Sequence, residues 1–224
     1  MVGKSHRIHG KTRKSFQKVP RPVPRQSVIP ASKTVLTFST TLALAESAAQ
    51  AGNYWFYRLN SVYDPDASGV GAVAIGYNTW ATLYLNYKVN RVTLRAQGVV
   101  TGLSSGSFGN IVFAPVPNQM VIPANKQTWR VIPRSRLLTV TSEAVGGRNM
   151  FTLSSSYDLA TVANVTRAQY SSDMDFSGAV GSNPSRQIYL VVTVDSTGST
   201  SAATLVANIQ LSYEVEWFNP TPIQ

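Results

Sequence analysis

The chain contains no cysteine, and its 224 residues include only two histidines. Both histidines, His6 and His9, lie within the first ten residues. Disulfides are therefore excluded, and the rest of the chain lacks the imidazole and thiol groups on which most zinc sites and most nucleophilic or general-base enzymes depend. We expect a protein that is not an enzyme and that has no metal site and no cofactor.

Charged residues are also scarce. They make up 13% of the chain, whereas hydrophobic residues make up 43%. An average soluble domain contains about 25% charged residues. Because charged groups are depleted from the buried centres of protein interfaces, this composition favours a domain that contacts further copies of itself. We expect a homo-oligomer of many copies.

Long apolar runs are missing as well. No window approaches the roughly 18 uninterrupted apolar residues of a transmembrane helix, and the N-terminal region lacks the apolar stretch of about 7 to 15 residues that a secretion signal needs. Prolines at positions 20, 22, 24 and 30 are incompatible with the amphipathic helix of a mitochondrial presequence. The sequence predicts no membrane partner.

Residues 1–33 contain no Asp or Glu, yet they hold nine of the 20 basic residues. The other 11 basic and 10 acidic residues leave the body with a net charge of +1. We therefore divide the chain into a basic arm, residues 1–33, and one folded domain, residues 34–224. The basic residues of the arm are Lys4, Arg7, Lys11, Arg13, Lys14, Lys18, Arg21, Arg25 and Lys33.

The arm has the composition of a polyanion-binding segment that cannot bury a core. Its VPRPVPR stretch, residues 19–25, favours a polyproline-type spacer that extends by about 3.1 Å per residue. If all nine charges met phosphates of a single strand, log K would fall with log salt at a slope of about −6. We expect nucleic acid as the partner, with a solubilising tail or a membrane-surface contact as alternatives. Residues 11–14, KTRK, also match a short nuclear import signal.

The folded domain reads as a series of short strands separated by Gly, Ser, Asn and Pro clusters. In the last strand, Ile209, Leu211 and Tyr213 fall on one face, while Gln210 and Ser212 fall on the other. We predict an all-β fold of two packed antiparallel sheets. The predicted strands cover 35–44, 54–61, 88–100, 109–116, 128–133, 136–142, 149–155, 187–195 and 203–218, and short helices are predicted at 45–51 and 79–87.

Two segments, YRLNSVYDPD at 57–66 and IGYNTWATLYLNYKVNRVTLR at 75–95, resemble the capsid proteins of circular, replicase-encoding single-stranded DNA viruses. The resemblance implies a single eight-stranded jelly roll and an icosahedral shell of about 60 copies. It also implies that the arm lies inside the virion and packages the genome, and that the shell assembles in the host nucleus. The matching residues are Leu59, Asn60, Ser61, Tyr63, Asp64, Pro65, Tyr77, Trp80, Leu83, Tyr84, Tyr87 and Val89.

Other functions remain open at this point. Coat proteins of small positive-strand RNA viruses share the jelly roll and the basic arm, so the fold does not fix the genome type. A β-sandwich ligand-binding module with a basic anchor is an alternative from a different class. Arg91 and Arg95 share one face of the strand at 88–100, where they either supplement the arm as nucleic-acid-binding residues or pair with carboxylates.

Three pairs of carboxylates stand two residues apart, a spacing that places both members on one face of a strand. Such pairs serve glycosidases or bind cations, whereas the simpler interpretation is a turn or a solvated strand face. The pairs are Asp64 with Asp66, Asp173 with Asp175, and Glu214 with Glu216. The aromatic run at 54–57 is interpreted as core on one side of a strand and subunit contact on the other, with base stacking as the alternative.

Overall fold

The computed structural model of the chain describes residues 31–46, 54–69, 71–117, 126–142, 146–197 and 203–222. Its strands are β1 Ser32–Ala45, β2 Tyr54–Arg58, β3 Tyr84–Thr101, β4 Phe108–Val116, β5 Arg136–Thr141, β6 Met150–Asp158, β7 Ser177–Ala179, β8 Tyr189–Thr197 and β9 Thr204–Pro220. Its α-helices are α1 Tyr77–Ala81, α2 Leu159–Val162 and α3 Arg167–Ser172, and 3-10 turns cover Lys126–Val131 and Met174–Phe176.

The strands form two antiparallel sheets. The first sheet has the order β1-β9-β3-β6, with the three-residue β7 added to β3, and the second has the order β2-β8-β4-β5. Eight strands distributed in this order between two packed sheets constitute a jelly roll. The predicted all-β, eight-stranded fold is confirmed.

β9 lies at the centre of the first sheet and pairs along its length with both β1 and β3. Its side chains alternate between the core and the outer face as the sequence predicts, and Ile209, Leu211 and Tyr213 are completely buried. The alternation of the last strand therefore fixes which face of the first sheet is the inner one.

An aromatic cluster forms at the end of β9 around the buried indole of Trp217. Trp80 stacks on this indole at 6.1 Å between ring centres, and Tyr77 and Tyr87 lie 5.9 Å and 5.7 Å from it. Burial raises the pKa of Tyr87, whose hydroxyl donates to the carbonyl of Ser182. The residues that carry the capsid resemblance thus contribute to packing within the domain.

The second sheet is buried on both faces, because β4 and most of β8 are covered outside as well as inside. The outer cover is a small hydrophobic cluster around the fully buried Trp129, which the 3-10 turn Lys126–Val131 supplies. The predicted strand at 128–133 is therefore wrong. Trp129 lies across the sheet as a cover, and Pro133 cannot donate a ladder hydrogen bond.

The aromatic run at 54–57 divides between these two cores. Tyr57 is buried in the main core and Trp55 packs against it, whereas Tyr54 and Phe56 pack against the Trp129 cluster. The sequence predicted that one side of this strand contacts another subunit, but the Trp129 cluster covers most of that side.

The helices also differ from their prediction. The helix expected at 79–87 ends at Ala81, because the chain from Tyr84 onward pairs with β9. The helix expected at 45–51 falls mostly outside the described residues, and Ala45 is the last residue of β1. α3 was missed, although Thr166 and Gln169 form a capping box that the sequence displays.

Lys88 is a buried cation on β3, with 4% of its surface exposed. Its ammonium donates to the carbonyls of Tyr170, Ser171 and Asp173 at 2.7 to 3.1 Å, so it closes the C-terminal end of α3. Burial lowers the pKa of Lys88, while the nearby carboxylates of Asp173 and Glu216 oppose that shift. The side chain fastens the α2–α3 region to the first sheet.

We expect Lys88→Met to lower the free energy of unfolding by about 2 kcal/mol, because a buried acceptor without its donor costs roughly 1 to 3 kcal/mol. Urea denaturation followed by tryptophan fluorescence measures the loss. Arg95→Met on the exposed face of the same strand is the matched control and should change stability by less than about 0.5 kcal/mol. Equal stabilities of the two variants would contradict this role of Lys88.

Candidate nucleic-acid interface

The outer face of the first sheet carries an array of hydroxyl and amide side chains, which we call the polar face. Four strands contribute three residues each in matching register, and eleven of the twelve are uncharged. The polar face consists of Thr37, Ser39, Thr41, Thr93, Arg95, Gln97, Thr152, Ser154, Ser156, Asn208, Gln210 and Ser212.

Arg95 is the one cation of the polar face. It is exposed, and its neighbours across the ladders are Gln210 on β9 and Ser154 on β6. Among the described residues, no carboxylate lies within ion-pair distance of its guanidinium. Arg95 can therefore contact a phosphate without breaking an existing ion pair.

Arg91 lies on the same outer side of β3 but in a different electrostatic setting. Its guanidinium is 3.8 Å from the carboxylate of Glu214, and the two side chains are 45% and 52% exposed. Asp158 occupies the neighbouring position on β6. Of the two alternatives for these arginines, pairing with a carboxylate describes Arg91, whereas phosphate contact stays open for Arg95.

Lys33 lies in β1, directly opposite Glu216 of β9, although its composition places it in the arm. It is exposed at the end of the first sheet where the arm joins the domain. The other eight predicted contacts of the arm lie outside the described residues: Lys4, Arg7, Lys11, Arg13, Lys14, Lys18, Arg21 and Arg25. Their assignment to nucleic acid remains a prediction.

A cleft of about 580 Å³ lies beside Lys33, between the end of the first sheet and α2 and α3. Its charged groups are largely paired, because Arg167 bonds Asp158 at 2.7 Å. Burial on its own raises the pKa of Asp158, but hydrogen bonds from Arg167 and Thr161 outweigh it, and the pKa lies below its usual value. Asp158 also caps α2 by accepting from the backbone of Thr161. The charged side chains that line the cleft therefore mainly form ion pairs that stabilise the fold.

The carboxylate pair at Asp64 and Asp66 belongs to a turn. Asp64 forms an ion pair of 2.7 Å with Arg58, whose guanidinium also donates to the backbone carbonyls of Asp64 and Asp66. The side chain of Asp66 accepts from the backbone of Ser68. This arrangement anchors the turn against β2.

The other two pairs also have structural partners. Asp173 caps the 3-10 turn Met174–Phe176, and Asp175 accepts from the hydroxyl of Ser185. Glu216 accepts from the side chain of Asn90, beside the bulge in β3. Throughout the described part of the chain, no group of three acidic or histidine side chains is placed to hold a metal ion.

Exposed arginines outside β3 were missed by the sequence reasoning. Arg136 begins β5, Arg134 lies two residues before it, and Arg148 precedes β6. For the described residues, no ion pair with a carboxylate forms at these three positions. The sequence does not show which single arginines are free to bind a phosphate. That depends on the strand pairing, which decides whether a carboxylate lies next to each arginine.

None of the helices in the described ranges is long and apolar enough to cross a membrane. No protein-family model matches the chain, and no curated protein matches it.

The chain is similar in structure to several solved virus structures. One is the mud crab tombus-like virus, with a TM-score of 0.47 and 11% sequence identity over 99% of this chain and 96% of that chain. Another is Cocksfoot mottle virus, with a TM-score of 0.49 and 11% sequence identity over 86% of this chain and 97% of that chain. A third is a T=1 subviral particle of a Penaeus vannamei nodavirus capsid protein deletion mutant, with a TM-score of 0.47 and 11% sequence identity over 85% of this chain and 98% of that chain. None of these names indicates a circular single-stranded DNA genome, and likeness at this level carries no functional argument.

We expect Arg95→Gln to weaken the binding of a single-stranded oligonucleotide and to reduce the magnitude of its salt slope by about 0.7, the loss of one phosphate contact. Arg91→Gln should change the slope less, because Glu214 already neutralises part of the Arg91 charge. Fluorescence anisotropy at several NaCl concentrations measures both slopes. An unchanged slope for Arg95→Gln would exclude this residue from the interface.

Proposed function

We propose that this chain is the subunit of a viral capsid, which assembles into a closed icosahedral shell and packages single-stranded nucleic acid through its basic arm. One observation carries the proposal. A jelly roll whose body has a net charge of +1 is preceded directly by a segment with nine basic and no acidic residues. The separation of the two parts suits a neutral wall that encloses a polyanion.

The surface composition supports self-assembly. Leu83, Leu85 and Val180 expose 53%, 47% and 36% of their surface at one end of the first sheet. They lie close together, since the backbone of Val180 donates to the carbonyl of Leu85. Exposed apolar groups in a domain with so little charge are typical of a protein that buries this surface against a partner.

The electrostatics support nucleic acid as the contents of the shell. The arm supplies most of the positive charge, while Arg95, Arg134 and Arg148 supply isolated cations on the domain. Backbone phosphates match this arrangement, because they are recognised by charge and not by sequence.

The resemblance of residues 57–66 and 75–95 favours single-stranded DNA as the genome. A coat protein of a positive-strand RNA virus is the alternative within the same class. The import signal at 11–14 and assembly in the nucleus belong to the DNA proposal alone.

Deletion of residues 1–30 should leave particles that form but contain little nucleic acid, because β1 and the whole jelly roll remain. Negative-stain electron microscopy counts the particles, and the ratio of absorbance at 260 and 280 nm reports their contents. The full-length chain, purified in the same way, is the control.

Packaging by the truncated chain at the full-length level would refute the role of the arm. A full-length chain that stays at about 24 kDa at high concentration would refute the capsid function and favour the ligand-binding module. Competition between DNA and RNA oligonucleotides of one sequence then separates the two genome types, since tighter binding of RNA would count against the DNA proposal.

A further inference from the structure

A depression of about 410 Å³, which we call the Met150 depression, lies at one end of the polar face across β3, β6 and β9. Three of the side chains that line it are apolar: Val99, Met150 and Val206. They form one row across the sheet, because Val99 pairs with both of the others. Met150 and Val206 expose 63% and 38% of their surface. The depression therefore offers an apolar surface to a ligand where the neighbouring rows are polar.

Hydrogen-bonding side chains occupy the next row of the sheet. Gln97 pairs with Asn208 on one ladder and with Thr152 on the other, and all three line the depression. Asn208 accepts a hydrogen bond from the hydroxyl of Thr41 at 3.1 Å through its Oδ1 atom, which leaves its amide nitrogen directed to solvent or ligand. The amides of Gln97 and Asn208 can therefore donate to a ligand that rests on the apolar row.

Positive charge lies on both sides of the apolar row. Of the described residues that line the depression, Arg148 alone has an ionisable side chain. It is exposed and precedes Met150 by two residues, on the side away from Arg95, because β6 runs antiparallel to β3. Arg95 lies four residues from Val99 along β3, a distance of about 13 Å in an extended strand. In the described ranges, neither guanidinium has a carboxylate within ion-pair distance.

This combination of groups matches a nucleotide. A nucleotide joins a flat aromatic ring, whose edge carries hydrogen-bonding atoms, to a phosphate. The sulfur of a methionine makes favourable contacts with aromatic rings, amides bond to the edges of bases, and arginine binds phosphate. An acyl chain would use only the apolar row, and an acidic peptide would use only the arginines. The volume of about 410 Å³ lies within the range of about 300 to 1,000 Å³ that small-ligand sites occupy.

We propose that one nucleotide of a bound single strand occupies the Met150 depression, with its base on the apolar row and its phosphate at Arg148. The strand then continues over the polar face and reaches Arg95 within about four nucleotides, at the rise of about 3.4 Å of stacked bases. This site rests on the proposed packaging function and deepens it, because it gives the domain a contact with the base. Contacts of the arm depend on phosphate charge, whereas stacking depends on the base.

Two probes separate the base from the phosphate. One is a short oligothymidylate, and the other is an abasic oligonucleotide of the same length, so both present the same phosphate charge to the arm. Fluorescence anisotropy with the full-length chain measures the dissociation constant of each probe. The ratio of the abasic constant to the oligothymidylate constant, which we call the base ratio, reports what the base adds. We expect a base ratio well above one for wild type.

Met150→Ala removes the sulfur from the apolar row and should lower the base ratio about threefold, as expected for one contact between a methionine and an aromatic ring. Met174→Ala is the matched control, because Met174 is 55% exposed and lies in the 3-10 turn Met174–Phe176, outside the polar face. It should leave the base ratio unchanged. Both side chains are largely exposed, so both variants should melt within a few degrees of wild type.

Arg148→Gln tests the phosphate contact separately. It should weaken the binding of both probes to the same extent and reduce the magnitude of the salt slope by about 0.7. The base ratio should stay at the wild-type value, because the apolar row is intact. An unchanged salt slope would show that no phosphate binds at Arg148.

The outcomes separate this site from the proposed function. If wild type binds both probes equally, or if Met150→Ala keeps the wild-type base ratio, the base site is wrong, and wild-type shells that contain nucleic acid would leave packaging by the arm in place. If wild type forms no shells but Met150→Ala still lowers the base ratio, the site stands and the capsid function fails. A base ratio that falls in Met150→Ala and not in Met174→Ala, together with filled wild-type shells, supports both.

Discussion

The row of buried side chains on β9 is the contact on which the rest of the domain depends. It separates β1 from β3 within one sheet, and its inner face supplies residues that both sheets pack against, from Ile209 to Trp217. The aromatic cluster at its end binds α1 and the start of β3 to the same row. Without β9, the strands on either side of it would have no common partner.

The domain uses part of its charge internally. Arg58, Lys88 and Arg130 fasten turns and helix ends, and Arg167 fastens α3 to β6. The charge left over is positive and scattered, while the concentrated charge lies in residues 1–33. Most of the net positive charge of the chain therefore lies outside the jelly roll.

The fold could be predicted where alternation was strong, as in β9, and where an aromatic motif supplied a resemblance. Prediction failed where tertiary contacts overrode local pattern. The segment at 128–133 has the composition of a strand, but it forms a 3-10 turn because this places the Trp129 side chain in the hydrophobic cluster that covers the second sheet. The outer positions of β3 could be assigned from the sequence, yet the difference between Arg91 and Arg95 could not. It depends on a bulge at Asn90 and on a register that brings Glu214, and not Gln210, opposite Arg91.

The central position of β9 has a consequence for the order of events during synthesis. Translation, at roughly 5 to 20 residues per second, releases the basic arm and β1 long before the strand that completes the first sheet. In that interval the side of β1 that pairs with β9 has no partner strand. Long-range strand pairing is slow, so β1 and β3 gain their common partner last.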